Sequence, residues 1–403
     1  MSIRTRLQHA MLLLLACVVA QAAVAQKRYD PGASDTEIKL GQTMPYSGPL
    51  SAYAVIARAE AAYLRKINEE GGINGRKVTL ISLDDAYNPA KTVEAVRRLI
   101  EQDEVLALFG SLGTPTNLAV RKYLQDRKVP LLFLSTGGSM WNDPKEHPWS
   151  MGFQPNYWDE GRVYALHTLQ TQPDARIGLL YQNDDTGRDY AGGFKAGLGG
   201  RQRQIVAEIP YDTSVATLDS ELLQLRSAGV QVLFDQTTPK FAAQVIRRMA
   251  EMNWKPVHYL NSISTSIGSV LTMAGLDNAT GIISTMSIKD VTDPLLADDP
   301  GVKRWLDFMH RYYPTGNVID ALNSTGYTVA QAMVQVLRQC GDDLTRENLM
   351  RQAANLKDLQ LDLLLPGVKV NTSPTNYAPL RAMRLRRFDG RQWVPFGELI
   401  GGP

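Results

Sequence analysis

The sequence predicts an α/β protein of two doubly wound lobes, each a parallel sheet flanked by helices, with a ligand cleft between them. Two observations carry this expectation. A chain of 403 residues is too long for one ordinary hydrophobic core and fits two domains of normal size. From Ile38 onward, short apolar runs alternate with amphipathic stretches, as βαβ units require; the pattern stops in an irregular Trp-rich stretch at 141–158 and then restarts. Hydrophobic residues at 44% and charged residues at 21% are ordinary for a globular protein, which excludes a disordered chain or a fibre.

Residues 38–43 read as the first strand. A helix follows over 51–70, because Ala52, Val55, Ile56, Ala59, Ala62 and Tyr63 recur at helical spacing. Gly71-Gly72-Ile73-Asn74-Gly75 breaks it. A strand at 77–83, a helix over 89–102 opened by Pro89, a strand at 105–109, a helix at 116–127 and a strand at 131–134 complete the first run. The second run places strands at 177–181, 205–209, 230–234 and 258–260, with helices at 189–198, 218–228 and 240–252. A strand at 281–286 precedes helical patterns over 302–312, 323–340 and 346–354. Two strand-like runs, 381–387 and 392–395, end the chain around Asp389-Gly390, a favourable hairpin turn.

The first residues set the compartment. Arg4 and Arg6 precede a nearly continuous apolar stretch at 10–20, and Ala23-Val24-Ala25 offers small residues for cleavage, so 1–25 reads as a secretory signal. That stretch falls short of the roughly 20 residues that span a bilayer. A periplasmic protein is expected, and lipid attachment through Cys17, within Leu14-Leu15-Ala16-Cys17, is the competing route. Signal removal leaves only Cys340, set in an apolar helix with no His nearby in sequence, which reads as a buried structural thiol. Lys and Arg number 43 against 41 Asp and Glu, so the large positive field that a nucleic-acid partner demands is missing.

Six strands end in small polar residues or Gly: Tyr46-Ser47-Gly48, Gly110-Ser111-Leu112-Gly113-Thr114, Ser135-Thr136-Gly137-Gly138-Ser139, Asn183-Asp184-Asp185-Thr186-Gly187, Gln236-Thr237-Thr238 and Asn261-Ser262-Ile263-Ser264. Ligands of open α/β sheets bind beyond such carboxyl ends, where backbone N–H groups and helix N-termini point outward. Any one of these segments alone reads as a helix cap or turn; six together, divided between two domains, favour a ligand site. Enzyme constellations are weak by comparison. The glycines at 192–200 fit no dinucleotide fingerprint and read as a mobile helix end, and His9, His147, His167, His258 and His310 lack metal-ligand spacing. Asp84-Asp85 and Asp184-Asp185 are possible acid/base pairs, with capping the simpler role. No catalytic residue, metal or cofactor is expected.

Ile38-Lys39-Leu40-Gly41 running to Ser47-Gly48-Pro49, then Glu70-Gly71-Gly72-Ile73-Asn74-Gly75-Arg76, Asp84-Asp85, and Gly110-Ser111 before a helix form a set of motifs. Through them, residues 36–399 resemble the type I periplasmic solute-binding proteins of the leucine/isoleucine/valine-binding kind, which serve ABC importers. The resemblance implies two lobes joined by a hinge of three crossings that closes on the ligand. It implies a first lobe of 36–155 plus 289–362 and a second of 156–288 plus 363–403. It places the ligand's carboxylate on Ser111, Gly113, Thr114, Ser135, Thr136 and Gly137, with Tyr53 as an aromatic wall beside Tyr46. Second-lobe candidates are Asp184, Thr186, Thr237 and Ser262. Where amino-acid-binding relatives often carry Tyr, this chain has Thr186, and where they carry a carboxylate for the ammonium it has Asn261-Ser262-Ile263. A buried ammonium without an anion is costly, which argues against an α-amino acid unless Asp184, Asp185 or Asp235 serves. The expected function is therefore capture of a small aromatic or aliphatic carboxylate, by a monomer, for an ABC permease in the inner membrane. Branched-chain amino acid, amide or urea binding, a ligand sensor, and an exported hydrolase are the alternatives.

Overall fold

A computed structural model describes residues 27–401, so the expected signal at 1–25 and Cys17 lie outside the described residues. The first lobe opens with β1 (Glu37–Met44), α1 (Ala54–Glu69), β2 (Lys77–Asp84), α2 (Pro89–Glu101), β3 (Ala107–Phe109), α3 (Thr114–Asp126), β4 (Leu131–Leu134) and β5 (Ser150–Gly152). Its sheet runs β2-β1-β3-β4-β5 with every pair parallel. The inner strands β3 and β4 are apolar and buried throughout, as strands covered on both faces are, whereas β1 and β2 alternate polar and apolar residues. Asn88 caps α2 by accepting from the N–H groups of Ala90 and Lys91, and Pro89 takes the first helical position.

The second lobe follows: α4 (Tyr157–Thr171), β6 (Ile177–Gln182), α5 (Asp185–Leu198), β7 (Ile205–Tyr211), α6 (Asp219–Ser227), β8 (Val232–Gln236), α7 (Pro239–Glu251), β9 (Val257–Leu260) and β10 (Ile283–Met286). The chain then returns to the first lobe with α8 (Pro300–Tyr312), α9 (Ala321–Cys340) and α10 (Arg346–Ala353), and ends in the hairpin β11 (Met383–Phe388) and β12 (Trp393–Ile400). The second sheet runs β12-β11-β10-β9-β8-β6-β7, parallel except where the hairpin joins β10 and closes on itself. The chain passes from the first sheet to the second after β5, leaves it after β10 for α8 to α10, and returns to it at β11. Lys289, just after β10, donates to both Asp299 oxygens at 2.8 and 2.9 Å and to the Asp362 carbonyl at 2.9 Å, which anchors that strap to the first lobe.

The first lobe's core centres on α9, which buries residues on all sides and packs on α1. Tyr63, Trp305, Phe308 and Tyr327 meet there with ring centroids 4.9 to 5.9 Å apart. Val368, Val370, Tyr377 and Leu380 join this same core, so the tail serves the first lobe before the hairpin reaches the second. Cys340 lies buried in it, and burial pushes its thiol up to about 12, as an inert structural residue requires.

The stretch expected to be irregular as far as 158 already contains the start of α4. Asn156 caps it through the N–H groups of Trp158 and Asp159. Of the glycines at 192–200, Gly193 lies inside α5 and serves packing, since a Cβ there would sit 1.9 Å from the Trp158 carbonyl oxygen, so the glycine lets α5 lie directly on α4; Gly199 and Gly200 follow the helix with nothing within 4 Å of where a Cβ would stand. Among the described residues, no helix is long and apolar enough to cross a membrane.

Candidate functional site

The carboxyl ends of the two sheets face one another across a cavity of about 140 Å³. Leu50, Ile56, Leu112, Phe153, Ile263 and Leu322 make most of the wall apolar, and hydroxyls and amides interrupt it at a few points.

On the first-lobe side, Gly113 stands at the N-terminus of α3 with φ of 101°, and no side chain caps the helix. Gly113 itself lines the cavity, with its N–H donating to the Ser135 carbonyl at 3.4 Å, so the positive end of the helix dipole lies at the wall, favourable for an anion. A Cβ on Gly113 would also lie 2.5 Å from the Tyr87 ring. Ser135 follows β4 and lines the cavity, with no hydrogen bond to its hydroxyl among the described residues. Thr136 lines it too, but its hydroxyl pairs with that of Thr114 at 2.7 Å and accepts from the Gly138 N–H at 3.2 Å. Ser111 sits behind the wall, where its hydroxyl accepts from the Thr43 N–H at 3.1 Å. Gly137 accepts the Tyr157 N–H at its carbonyl, 2.8 Å away. Of the first-lobe residues singled out from sequence, Tyr53, Gly113, Ser135 and Thr136 thus meet at the cavity, whereas Ser111, Thr114 and Gly137 support it from outside.

Tyr53 is buried with its hydroxyl unpartnered among the described residues, and burial holds its ionisation well above the ordinary range. Tyr46 is turned elsewhere, donating to the Ser82 hydroxyl at 2.7 Å. The aspartates after β2 build a turn. Asp84 accepts from the backbone N–H groups of Tyr46, Ser47 and Ala86, and buried Asp85 accepts from the Tyr87 N–H at 2.9 Å and the Thr92 hydroxyl at 2.8 Å. That turn delivers Tyr87 into the cleft, where it donates to Asp184 of the opposite lobe at 3.3 Å and accepts from Gln182 at 3.2 Å.

On the second-lobe side, Asp184 caps α5 through the N–H groups of Thr186 and Gly187 at 2.9 and 3.2 Å, and burial raises its carboxyl. Thr186 lines the cavity; Thr237 does not, and its carbonyl accepts from Asn261 and Ser264 at 2.9 and 2.6 Å. Ser262 reaches the wall, yet both its N–H and its hydroxyl donate at 2.7 Å to Glu160. Glu160, on the helix that the sequence pattern hid, also accepts from Tyr164 at 2.6 Å and Tyr190 at 3.0 Å. An acid therefore does lie under the Asn261-Ser262-Ile263 segment, but its oxygens are occupied by protein donors, and burial shifts it toward the neutral form. Sequence reasoning missed Tyr87, Tyr157, Gln182 and Arg386, all of which line the cavity. Only Tyr87 left a signal, its place just after the paired aspartates.

A family profile described as "Periplasmic binding protein" matches residues 37–392. A Leu/Ile/Val-binding protein homolog 7 from Brucella abortus is 24% identical over 253 residues, a match that spans 61% of this chain and 61% of that relative's own length. The fold matches a branched chain amino acid ABC transporter protein from Thermus thermophilus with bound valine, at TM-score 0.82 and 17% identity over 92% of this chain and 98% of that one. It also matches a fatty acid ABC transporter substrate-binding protein from Thermomonospora curvata, at TM-score 0.78 and 20% identity over 93% and 95%.

Proposed function

This chain belongs to the periplasmic binding protein family, and from that premise we propose that it captures a small carboxylate between its lobes and hands it to an ABC permease. One observation carries the reading: Gly113, at the N-terminus of α3, and Ser135, whose hydroxyl has no hydrogen-bond partner among the described residues, line a cavity whose other walls are largely apolar. Donors at one end and apolar contact along the rest suit a carboxylate with an aliphatic or aromatic body. Tyr53 and Tyr157 supply aromatic surface, and Tyr157 is held flat by stacking on Tyr190, with centroids 4.3 Å apart. Periplasmic placement, with export directed by 1–25, belongs to the same reading.

A branched-chain amino acid is the second reading, supported by the valine-bound neighbour. It needs an anion for the ammonium, and Asp290 is the acid that lines the cavity. Catalysis has less support, because Asp84, Asp85 and Asp184 are engaged as turn and cap acceptors.

A thermal-shift screen of the purified protein against aromatic and aliphatic acids, amino acids, amides and urea tests these readings. A true ligand at roughly 100 to 1,000 times its Kd should add about 2.7 to 4.1 kcal/mol. Stabilisation by acids that lack an amine, without turnover, supports the proposal. A shift with leucine or valine alone favours the second reading, and product formation overturns both.

A further inference from the structure

Arg386 is an unexpected residue to find in this cavity. It lies on β11 between Leu385 and Arg387, 7% exposed, and lines the cleft from the second lobe. Its guanidinium stacks over the Trp393 indole at 4.4 Å, and one Nη donates to the Thr265 hydroxyl. Thr265 is fixed in turn, since its hydroxyl donates to the Ser262 carbonyl at 2.8 Å and its own carbonyl accepts from Trp393 Nε1 at 3.0 Å. The charged fork is thus held rigidly by its neighbours.

What it lacks is a counter-ion. Among the described residues no carboxylate reaches ion-pair distance of Arg386, and its Nε–H is buried without a partner. Asp290 and Glu160 are the acids whose field reaches it, but Asp290 accepts from the Thr292 N–H and hydroxyl at 3.0 and 2.7 Å, and Glu160 is filled as described. An arginine almost out of water is costly to leave unpaired, and a planar fork suits a carboxylate.

We propose that Arg386 anchors a second acidic group of the ligand, so that the cleft selects a small dicarboxylate. One carboxylate rests on the α3 N-terminus and Ser135, the other on Arg386. This deepens the carboxylate reading above and depends on it.

Titration calorimetry of the purified protein with matched pairs tests it: adipate against hexanoate, and terephthalate against 4-methylbenzoate. A diacid that gains a charge-assisted pair should bind on the order of tenfold to a hundredfold more tightly than its monoacid partner. Arg386→Gln should erase that ratio, the diacid losing the tenfold to hundredfold advantage and the monoacid losing far less. Arg386→Lys, which keeps the charge but not the fork, should retain part of it, and it carries the test if the Gln variant does not fold. Monoacids that bind as tightly as diacids, or an Arg386→Gln variant that weakens both alike, would overturn the assignment while leaving the carboxylate reading in place. If all four compounds fail to bind, that reading falls as well.

Discussion

Ser135 and Thr136 are neighbours with different expected behaviour. Ser135→Ala removes a hydroxyl that faces only the cavity, so carboxylate binding should weaken by about 1.5 to 3 kcal/mol, measured by calorimetry, with the unliganded melting temperature unchanged. Thr136→Ala breaks the pair with Thr114 and strips the Gly138 N–H of its acceptor, so it should lower the melting temperature too. Histidine sets an acid limit. Burial lowers the pKa of His147 and of His167, the latter hydrogen-bonded to the Tyr259 hydroxyl at 2.6 Å. The unfolded chain then takes up protons at each site before the folded one does. Stability is complete above the ordinary histidine value of about 6.5 and is lost as pH falls below it. Melting curves between pH 5 and 8 should show this drop, and His167→Gln should flatten part of it. At this scale the sequence was only partly legible. Strand-end hydroxyls can be read from position, but which of them stays free depends on partners far along the chain, as with Ser111 and Thr43. Arg386 was illegible because alternation in a terminal hairpin assigns an arginine to solvent by default.

Elements were far easier to read, since helices and parallel strands announce themselves by period and by caps. The exceptions are the three-residue β5 and α4, whose buried Glu160, Gly161 and Thr168 interrupt the apolar stripe made by Tyr157, Val163, Tyr164 and Ala165. Its partner α5 fits against it through glycine, which composition alone presents as a weak helix. The N-terminus of α3 makes the sharpest prediction at this level. Gly113→Ala forces a side chain into the left-handed region and against Tyr87, and should destabilise the lobe by roughly 1 to 3 kcal/mol. It should also abolish carboxylate binding, and chemical denaturation with calorimetry on one preparation reads both effects.

The two lobes meet through contacts that need no ligand. Tyr87 reaches Asp184, and Asp189 on α5 accepts from the Ser139 N–H at 2.8 Å and its hydroxyl at 2.6 Å. Under the proposed capture between lobes, such bridges would stabilise the arrangement that forms the cavity and so add to affinity at a distance. Asp189→Ala, which touches no part of the cavity wall, should weaken binding by up to about 2 kcal/mol, mostly through faster release. Stopped-flow dissociation and small-angle scattering should show a shorter-lived complex and a larger unliganded molecule. The terminal hairpin carries a different consequence. Met383 and Leu385 complete one apolar cluster of the second lobe, Phe388 and Trp393 another, and the first lobe waits for α8 to α10 and Val370. Each lobe therefore takes part of its core from segments far along the chain from its own first strand. Cutting the chain anywhere before the hairpin should cost the second lobe part of two clusters at once, although the hairpin is far from that lobe's first strand in sequence.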